Sequence, residues 1–516
     1  MIDQFFGKTF YLSLCVLFVL FLTSLLSYFV GGSDIFLVLI VLIMIFFTAY
    51  NPVFGLLGVF LELFSGPHGQ LISTEIFSFN VSLRMSVFVG FFIGYLIYLI
   101  KTKRKPLVRS KDIFAFLILA IAISIGFVKG FISNEALNVF KDGNAYFYLL
   151  YAFPIFSINW NQKSKGQFLQ VFAAGAVWNI LLSFFILYFF THVSETLIKT
   201  AYIFLRDVRL AEITNLGSSI YRVFIQTQFF SLVFGTFILA LISSIKSKRE
   251  TVQAVVLLSA VFATLILSLS RSFWIGIIFA LIVLVTILHR DNKKVIKLKL
   301  CLICFLSSVI LSLFFIAIIV LFPFPTQRVG GHDLSDLFVK RFTQNDDVAI
   351  SSRWKLVDPM IQTISSNPII GNGFGKEVTF ETDDPRAREI QVDGKWSTYA
   401  MEWGWLELWL KMGVLGPIGF LFLFLYINKR LMTLLKSEHS WISIGLICGL
   451  VFLFATHIFS PYLNHPIGLG FILFTMIFVP KEFESLATQK SYQSNLSVQQ
   501  EMPAPASVIS LQAEES

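Results

Sequence analysis

Three arginines and one glutamate stand beside long apolar runs of this 516-residue sequence, where charged side chains are costly. They are Arg222, Arg271, Arg353 and Glu402. A guanidinium group grips phosphate oxygens in pairs and keeps its charge. A diphosphate at membrane depth would need several such donors, because it cannot be left unpaired in a low dielectric. The arginines therefore predict a diphosphate site; the alternative is that each one snorkels to the lipid head groups or pairs with an acidic residue of another helix.

Glu402 is the candidate general base. It opens the apolar stretch MEWGWLELWLKMGVLG. A carboxylate partly buried near a membrane can have a raised pKa and accept a proton from a sugar hydroxyl. The alternative is a carboxylate that only interacts with the dipole of the helix that it starts. Glu407 is the second candidate, with the alternative role of i+4 partner to Lys411, and His332 is a further candidate in the preceding loop.

Tryptophans and a glycine-rich turn surround Glu402 in the sequence. Trp396 and Trp403 are candidates to stack on pyranose rings; the alternative is the aromatic belt found at the interfaces of any membrane protein. Upstream, residues 351–366 have the apolar spacing of an amphipathic helix, which the turn NPIIGNGFG ends. The turn residues of the candidate site are Pro368, Gly371, Gly373 and Gly375.

The composition indicates a membrane protein. Hydrophobic residues make up 56% of the sequence and charged residues 14%, whereas a soluble domain has about 25% charged residues. The four cysteines fall in apolar runs and are interpreted as small buried side chains, because the CxxC of Cys301 and Cys304 has no second pair with which to bind zinc. The net charge of +9 is a topology signal and does not indicate a nucleic-acid partner.

Lysine and arginine cluster in short segments that tend to remain in the cytoplasm, at 101–111, 246–250, 289–299 and 428–436. About fourteen apolar runs alternate so that all of these segments and both termini lie inside. The predicted spans are 8–30, 35–50, 52–65, 84–100, 112–130, 140–158, 167–190, 221–245, 251–269, 271–289, 300–322, 401–427, 441–459 and 463–479.

The predicted fold is all-α, a polytopic transmembrane helix bundle with one large extracytoplasmic loop that contains short helices. Residues 1–322 hold helices 1–11, 323–400 form the large loop, 401–480 hold helices 12–14, and 481–516 form a disordered cytoplasmic tail.

The order of the motifs resembles the O-antigen polymerase and O-antigen ligase superfamily, polytopic glycosyltransferases that use undecaprenyl-pyrophosphate-linked sugars. YRVFIQTQFF with Arg222 is similar to a helix-start arginine of that family, and SLSRSFWIG with Arg271 to its Ser-Arg motif at the top of a span. The segment from Arg353 through NPIIGNGFG to LELWLKMGVLG is similar to the family's loop arginine, Pro-x-x-Gly-x-Gly turn and Gly-x-x-Gly helix. These motifs cover well under half of the chain.

One departure from the family pattern bears on function. Many ligases of the family carry a histidine, often followed by asparagine, shortly before the Gly-x-x-Gly; here Glu402, followed by Trp403, stands nearest to that position. This favours a polymerase, or a divergent ligase with a carboxylate base.

The resemblance implies a metal-independent, inverting transfer of a glycan to a sugar hydroxyl, without a cofactor. It also implies a bacterial inner-membrane location with the site facing the periplasm or exterior. The implied partners are an undecaprenyl-pyrophosphate-linked oligosaccharide and the bilayer, and a chain-length regulator or a flippase is a candidate protein partner.

A polytopic transporter would have the same composition. It would place its polar residues near mid-membrane, between two repeats. Here the polar residues gather near span ends and no internal repeat is visible. Grouping of the arginines and Glu402 at one end of the bundle would favour group transfer, and a scatter would favour transport.

Overall fold

The computed structural model describes residues 2–76, 79–103, 111–217, 220–290, 292–322, 348–382, 395–437 and 439–480. The predicted tail, His332 and residues 323–347 of the large loop lie outside this part of the chain. The α-helices are α1 (Lys8–Val30), α2 (Ser33–Tyr50), α3 (Pro52–Ser65), α4 (Leu83–Thr102), α5 (Leu117–Ser133), α6 (Ala136–Gly143), α7 (Ala152–Ser157), α8 (Gln162–His192), α9 (Glu195–Asp207), α10 (Gln228–Ile242), α11 (Lys248–Ser268), α12 (Arg271–His289), α13 (Asn292–Leu321), α14 (Val348–Ser366), α15 (Gly404–Met412), α16 (Leu415–Met432), α17 (Ser440–Thr456) and α18 (Pro466–Phe478). Short 3₁₀ helices are found at Ile2–Gln4, Lys111–Phe116, Asn144–Tyr151 and Tyr462–Asn464.

Helices dominate the described residues, which confirms the predicted all-α class. Nine of the described helices are long and apolar enough to cross a bilayer, and α3, α10, α17 and α18 are shorter apolar helices. Each of these helices overlaps a predicted span. The predicted helix at 351–366 is also present, as α14.

Three predicted spans differ from the structure. The span at 140–158 is broken into α6, a 3₁₀ helix and α7, at a Gly-Asn pair with low helix propensity. The span at 401–427 is divided into α15 and α16 by Gly413, whose φ of 65° is left-handed and ends a helix. The span at 221–245 begins as a strand, and its helix starts only at Gln228.

The shorter helices form the centre of the bundle. Every residue of α10 is buried, and it packs against α8, α11 and α17. A helix that is apolar on all sides is expected inside a protein. In α1 and α2, by contrast, only 22% and 17% of the most apolar stretch is buried, so their apolar faces form the lipid-facing surface.

Three β-hairpins join helices in the described residues, and the alternation of helix directions along the chain places them at the same end of the bundle. The strands are β1 (Ser73–Ile76), β2 (Phe79–Ser82), β3 (Glu212–Gly217), β4 (Ile220–Phe224), β5 (Val378–Glu381) and β6 (Lys395–Thr398). Each hairpin is antiparallel: β1 with β2, β3 with β4, and β5 with β6. We call the end of the bundle that carries the three hairpins the hairpin end. Because successive spans alternate in direction, the four segments rich in lysine and arginine lie at the opposite end.

Candidate functional site

Arg222 lies on a β-hairpin, so the prediction of a helix-start arginine is wrong. It is on β4, opposite Thr214 of β3. Its Nε donates a hydrogen bond to the carbonyl oxygen of Ser268 (2.8 Å), and its Cζ lies 5.1 Å from the centre of the Phe224 ring. The Glu212 carboxylate is 4.0 Å from its guanidinium. With 18% of its side chain exposed, Arg222 is held against the turn that joins α11 to α12.

Arg271 begins α12, directly after that turn. Leu269 makes the turn tight, with a left-handed φ of 46°. The first backbone N–H groups of a helix carry partial positive charge, which disfavours a cation and favours an anion. The exposed arginine at this position therefore does not stabilise α12 through the helix dipole. Its charge adds to the positive potential of the helix N-terminus, which attracts anions.

Arg353 and Glu402 form a direct ion pair. Their side chains are 41% and 50% exposed. Glu402 lies two residues before α15, which begins at Gly404, so it does not open that helix as the sequence predicted. The structure thus brings the candidate base into contact with a candidate phosphate ligand.

Trp403 attaches this ion pair to the bundle. Its indole N–H donates to the backbone carbonyl of Arg353 (2.8 Å), and its ring centre lies 5.0 Å from that of Trp354 and 5.3 Å from that of Phe459. Trp396 lies on β6 and is half-buried. Sugar stacking by Trp396 or Trp403 stays a prediction.

A chain of contacts connects Arg353 and Glu402 with the other two arginines. Trp403 packs on Phe459, and the hydroxyl of the next residue, Ser460, donates to the hydroxyl of Ser272 (3.1 Å). Ser272 follows Arg271, whose turn Arg222 contacts. All four charged candidates therefore lie at the hairpin end and are not scattered through the membrane.

The proline–glycine turn is a packing element. Its glycines Gly371, Gly373 and Gly375 have left-handed φ angles of 81°, 82° and 75°. A Cβ on Gly373 would lie 2.3 Å from the backbone nitrogen of Gly130. The backbone N–H groups from 371 to 375 donate in turn to the carbonyls of Asn367, Leu410, Lys411 and Gly126 and to the carboxylate of Asp142. Residues 371–375 therefore offer no backbone N–H to a phosphate; they lock α14 to α5 and α15.

Behind the exposed ion pair lies a buried charge cluster that the sequence predicted only in part. Lys411 contacts Glu407 one helical turn away, as predicted, and also Asp142 at the end of α6. The cluster lies on α15 and α6, which are not among the nine described helices that are long and apolar enough to cross a bilayer. Burial raises the pKa of the Glu407 carboxyl; the Lys411 ammonium opposes this and Asp142 reinforces it.

The cysteines and acidic residues do not form a metal site in the part of the chain that is described. No three His, Cys, Asp or Glu side chains there could together hold a metal ion. Cys301, Cys304 and Cys448 are buried free thiols, as predicted. Cys15 is exposed on the lipid-facing α1, so the prediction of burial is wrong for this residue.

Comparison with known proteins gives one match. Residues 254–421 match the model of a family described as O-antigen ligase. The matched segment contains Arg271, Arg353, Glu402 and the glycine turn, whereas Arg222 lies outside it. No curated protein and no solved structure matches the chain. The nine apolar helices and the match together support a multi-pass membrane protein with a glycosyltransferase-like function in O-antigen or polysaccharide assembly. The match at residues 254–421 thus supports the O-antigen polymerase and ligase superfamily that the sequence motifs resemble.

Proposed function

We propose that this protein transfers a glycan from an undecaprenyl-pyrophosphate donor to a sugar hydroxyl at the outer face of the bacterial cytoplasmic membrane. The observation that carries the proposal is the Arg353–Glu402 ion pair, a candidate phosphate ligand in contact with a candidate base, inside the segment that matches the family. The hairpin end is the outer face in this proposal, because lysine- and arginine-rich segments near span ends tend to remain in the cytoplasm.

The ion pair gives the reaction an order. A guanidinium that binds a carboxylate can bind a diphosphate with the same paired geometry. When the donor's diphosphate replaces Glu402 at Arg353, the carboxylate loses its cation and gains a negative neighbour, and both changes raise its affinity for a proton. Binding of the donor therefore converts Glu402 from an ion-pair partner into a general base.

The transfer step then follows. Glu402 takes the proton of the acceptor hydroxyl as the hydroxyl oxygen bonds to the anomeric carbon, on the face opposite the diphosphate. The bond between that carbon and the diphosphate oxygen breaks, and its electron pair leaves on undecaprenyl diphosphate. The configuration at the anomeric carbon is inverted. Three arginine charges stabilise the leaving diphosphate, and we propose that they make a metal ion unnecessary.

Arg222 and Arg271 bind the diphosphate together in this scheme. Arg222 is fixed by its hydrogen bond to Ser268, three residues before Arg271. An anion bound at the start of α12 would also face the helix N-terminus, which favours negative charge. Fixed donors of this kind need no reorganisation when charge develops on the leaving group.

The preferred reaction is polymerisation, in which the acceptor is a sugar of another lipid-linked repeat. Glu402 stands where many ligases of the family have a histidine, and this departure favours a polymerase. The second candidate is a ligase that transfers finished polymer to lipid A-core, which the description of the matching family favours.

Lipid-linked intermediates from a deletion strain test the proposal. Accumulation of single repeats on undecaprenyl diphosphate is expected for a polymerase, and accumulation of long lipid-linked polymer would indicate the ligase. Wild-type levels of all lipid-linked species and of surface polymer would contradict both functions. A strain complemented with the intact gene is the control for effects on neighbouring genes.

A further inference from the structure

The buried cluster of Asp142, Glu407 and Lys411 brings together more negative than positive charge. The Lys411 ammonium contacts both carboxyl groups, and the side chains of Asp142, Glu407 and Lys411 are only 7%, 4% and 2% exposed. Two ionised carboxylates against one ammonium would leave an unpaired charge away from water, which is strongly unfavourable. One of the two carboxyl groups is therefore expected to carry a proton.

The hydrogen bonds distinguish the two carboxyl groups. Both oxygens of Asp142 accept bonds, Oδ1 from Lys411 and Oδ2 from the backbone N–H of Gly375 (2.7 Å). Such bonds favour the ionised form. In Glu407, Oε1 accepts from Lys411 and from the N–H of Met401 (3.4 Å), whereas Oε2 has no partner among the described residues. Asp142 is therefore the ionised partner of Lys411, and Glu407 is the protonated member.

The contact between Glu407 and Met401 acts on the proposed base. Met401 directly precedes Glu402 and is itself buried. Its N–H points to the Glu407 carboxyl, one turn inside α15. This bond sets where the chain enters α15, and it thereby sets the position from which the Glu402 side chain reaches Arg353.

The contacts of Asp142 and Lys411 act on the glycine turn. Asp142 binds the N–H of Gly375, and the backbone carbonyl of Lys411 accepts the N–H of Gly373 (3.1 Å). The turn follows α14, the helix that carries Arg353. The cluster therefore fixes both partners of the exposed ion pair, one through the start of α15 and the other through the turn.

We propose that Asp142, Lys411 and Glu407 are positioning residues for the transfer reaction, with Asp142 and Lys411 ionised and Glu407 protonated. This inference rests on the proposed function. The three side chains are buried beneath the Arg353–Glu402 pair and act through it; none of them is placed in contact with the substrate.

Infrared difference spectra between the wild type and Glu407→Gln test the protonation of Glu407 without an activity measurement. The purified wild-type protein should show the carbonyl stretch of a protonated carboxylic acid at neutral pH, and Glu407→Gln should lose this band. Persistence of the band in Glu407→Gln, or its absence from the wild type, would overturn the assignment of the proton. Because the spectrum needs no substrate, this result stays separate from any failure of the proposed transfer.

Kinetics test the positioning role, once transfer by the wild type is established. Asp142→Asn is expected to lower kcat by about 10²-fold, the effect of a small misplacement of a catalytic group, with KM for the donor within about threefold. Glu407→Gln should stay within about threefold of wild type in kcat, because glutamine resembles a protonated glutamate. Equal losses in the two variants, or an unchanged kcat in Asp142→Asn, would refute the inference.

Asp112→Asn is the matched control. Asp112 is also buried and forms an ion pair with Arg430 (3.2 Å), but at the end of α16 away from the hairpins. It should lower the melting temperature much as Asp142→Asn does and leave kcat unchanged. An equal loss of kcat would show a general structural effect. If Asp142→Asn does not accumulate, the double variant Asp142→Asn with Lys411→Met can be tested, because it removes both buried charges. The same loss of kcat is expected for it. A wild-type kcat in the double variant would contradict the positioning role.

Discussion

Replacing Glu402 with glutamine separates its two proposed roles, because the side chain keeps its shape and loses its charge. Loss of a general base lowers the rate by about 10²–10⁴-fold, which corresponds to about 2.7–5.4 kcal/mol of transition-state stabilisation. The side chains of Arg353 and Glu402 are 41% and 50% exposed. Exposed ion pairs contribute only about 0.2–1 kcal/mol to the stability of the fold. The expected fall in kcat therefore far exceeds any effect of lost folded protein.

The same substitution should change donor binding in the opposite direction. In the proposed mechanism the donor's diphosphate must displace Glu402 from Arg353 in the wild type, whereas in Glu402→Gln it meets no competing charge. If the pair contributes at most about 1 kcal/mol, KM for the donor should fall by up to about fivefold. A lower kcat together with a lower or unchanged KM is the result expected if the diphosphate replaces Glu402 at Arg353.

The assay uses purified protein, a labelled lipid-linked donor and an acceptor saccharide, with kcat, KM and melting temperature measured for each variant. Glu381→Gln is the control, because Glu381 is an exposed carboxylate on β5 of the same loop region. It should behave as wild type. A kcat within about threefold of wild type for Glu402→Gln, or a KM that rises as kcat falls, would refute the assignment of Glu402 as the base.

Three further predictions follow from the site and its support. Arg271→Lys should lower polymer yield by about 10- to 100-fold at matched protein level, the effect of losing one charge-assisted hydrogen bond of about 1.5–3 kcal/mol; near-normal polymer would contradict a diphosphate clamp. A reporter fused after Gly375 should give an outside signal and one fused after Lys436 an inside signal, and an inside signal at Gly375 would reverse the proposed sidedness. Gly373→Ala should lower the melting temperature clearly, because its Cβ would lie 2.3 Å from a backbone nitrogen, whereas Gly166→Ala on α8 meets nothing within 4 Å and should be neutral or stabilising by about 0.5–1 kcal/mol. Equal melting temperatures for the two alanine variants would contradict the tight packing of the turn.

The helices can be predicted from the sequence because apolar runs of spanning length leave few alternatives. The breaks inside them are harder to predict. Gly413 lies in a largely apolar stretch and has a left-handed φ. The turn at 368–371 approaches it so closely that the Ile369 carbonyl would lie 2.0 Å from a Cβ on Gly413. That contact joins segments more than forty residues apart, so no local pattern reports it.

Arg222 lies in a segment whose sequence fits a strand. The same apolar residues also fit the start of a membrane span, so the strand is easily missed. Residues 220–224 are apolar except for Arg222, which favours the start of a span. Yet Val223 and Ile225 are buried while their neighbours are only half-buried, which is the alternation of a strand. The β-branched and aromatic residues and the preceding Gly-Ser-Ser segment also favour a hairpin.

The ion pairs show where sequence reasoning ends. Glu407 and Lys411 are four residues apart on one helix, and that spacing predicts their contact. Asp142 contacts the same ammonium across 269 residues of sequence, and only the packing of α6 against the glycine turn brings it there. The Arg353–Glu402 contact is likewise hidden in the sequence, although the chemistry of both residues makes each a candidate.

The short central helices have a consequence for how the substrate arrives. α10, α17 and α18 have 15, 17 and 13 residues and are therefore about 20–26 Å long, against a hydrocarbon layer of about 30 Å. The remaining depth is filled by chain that is not α-helical, such as residues 457–465, which join α17 to α18 and contain only a short 3₁₀ helix. Irregular backbone at that depth is tolerated only inside protein or beside water, and we infer that it borders a recess below the surrounding lipid surface. A lipid-linked donor could enter such a recess sideways with its tail still in the leaflet, so turnover should follow the mole fraction of donor within the membrane rather than its concentration in the whole sample.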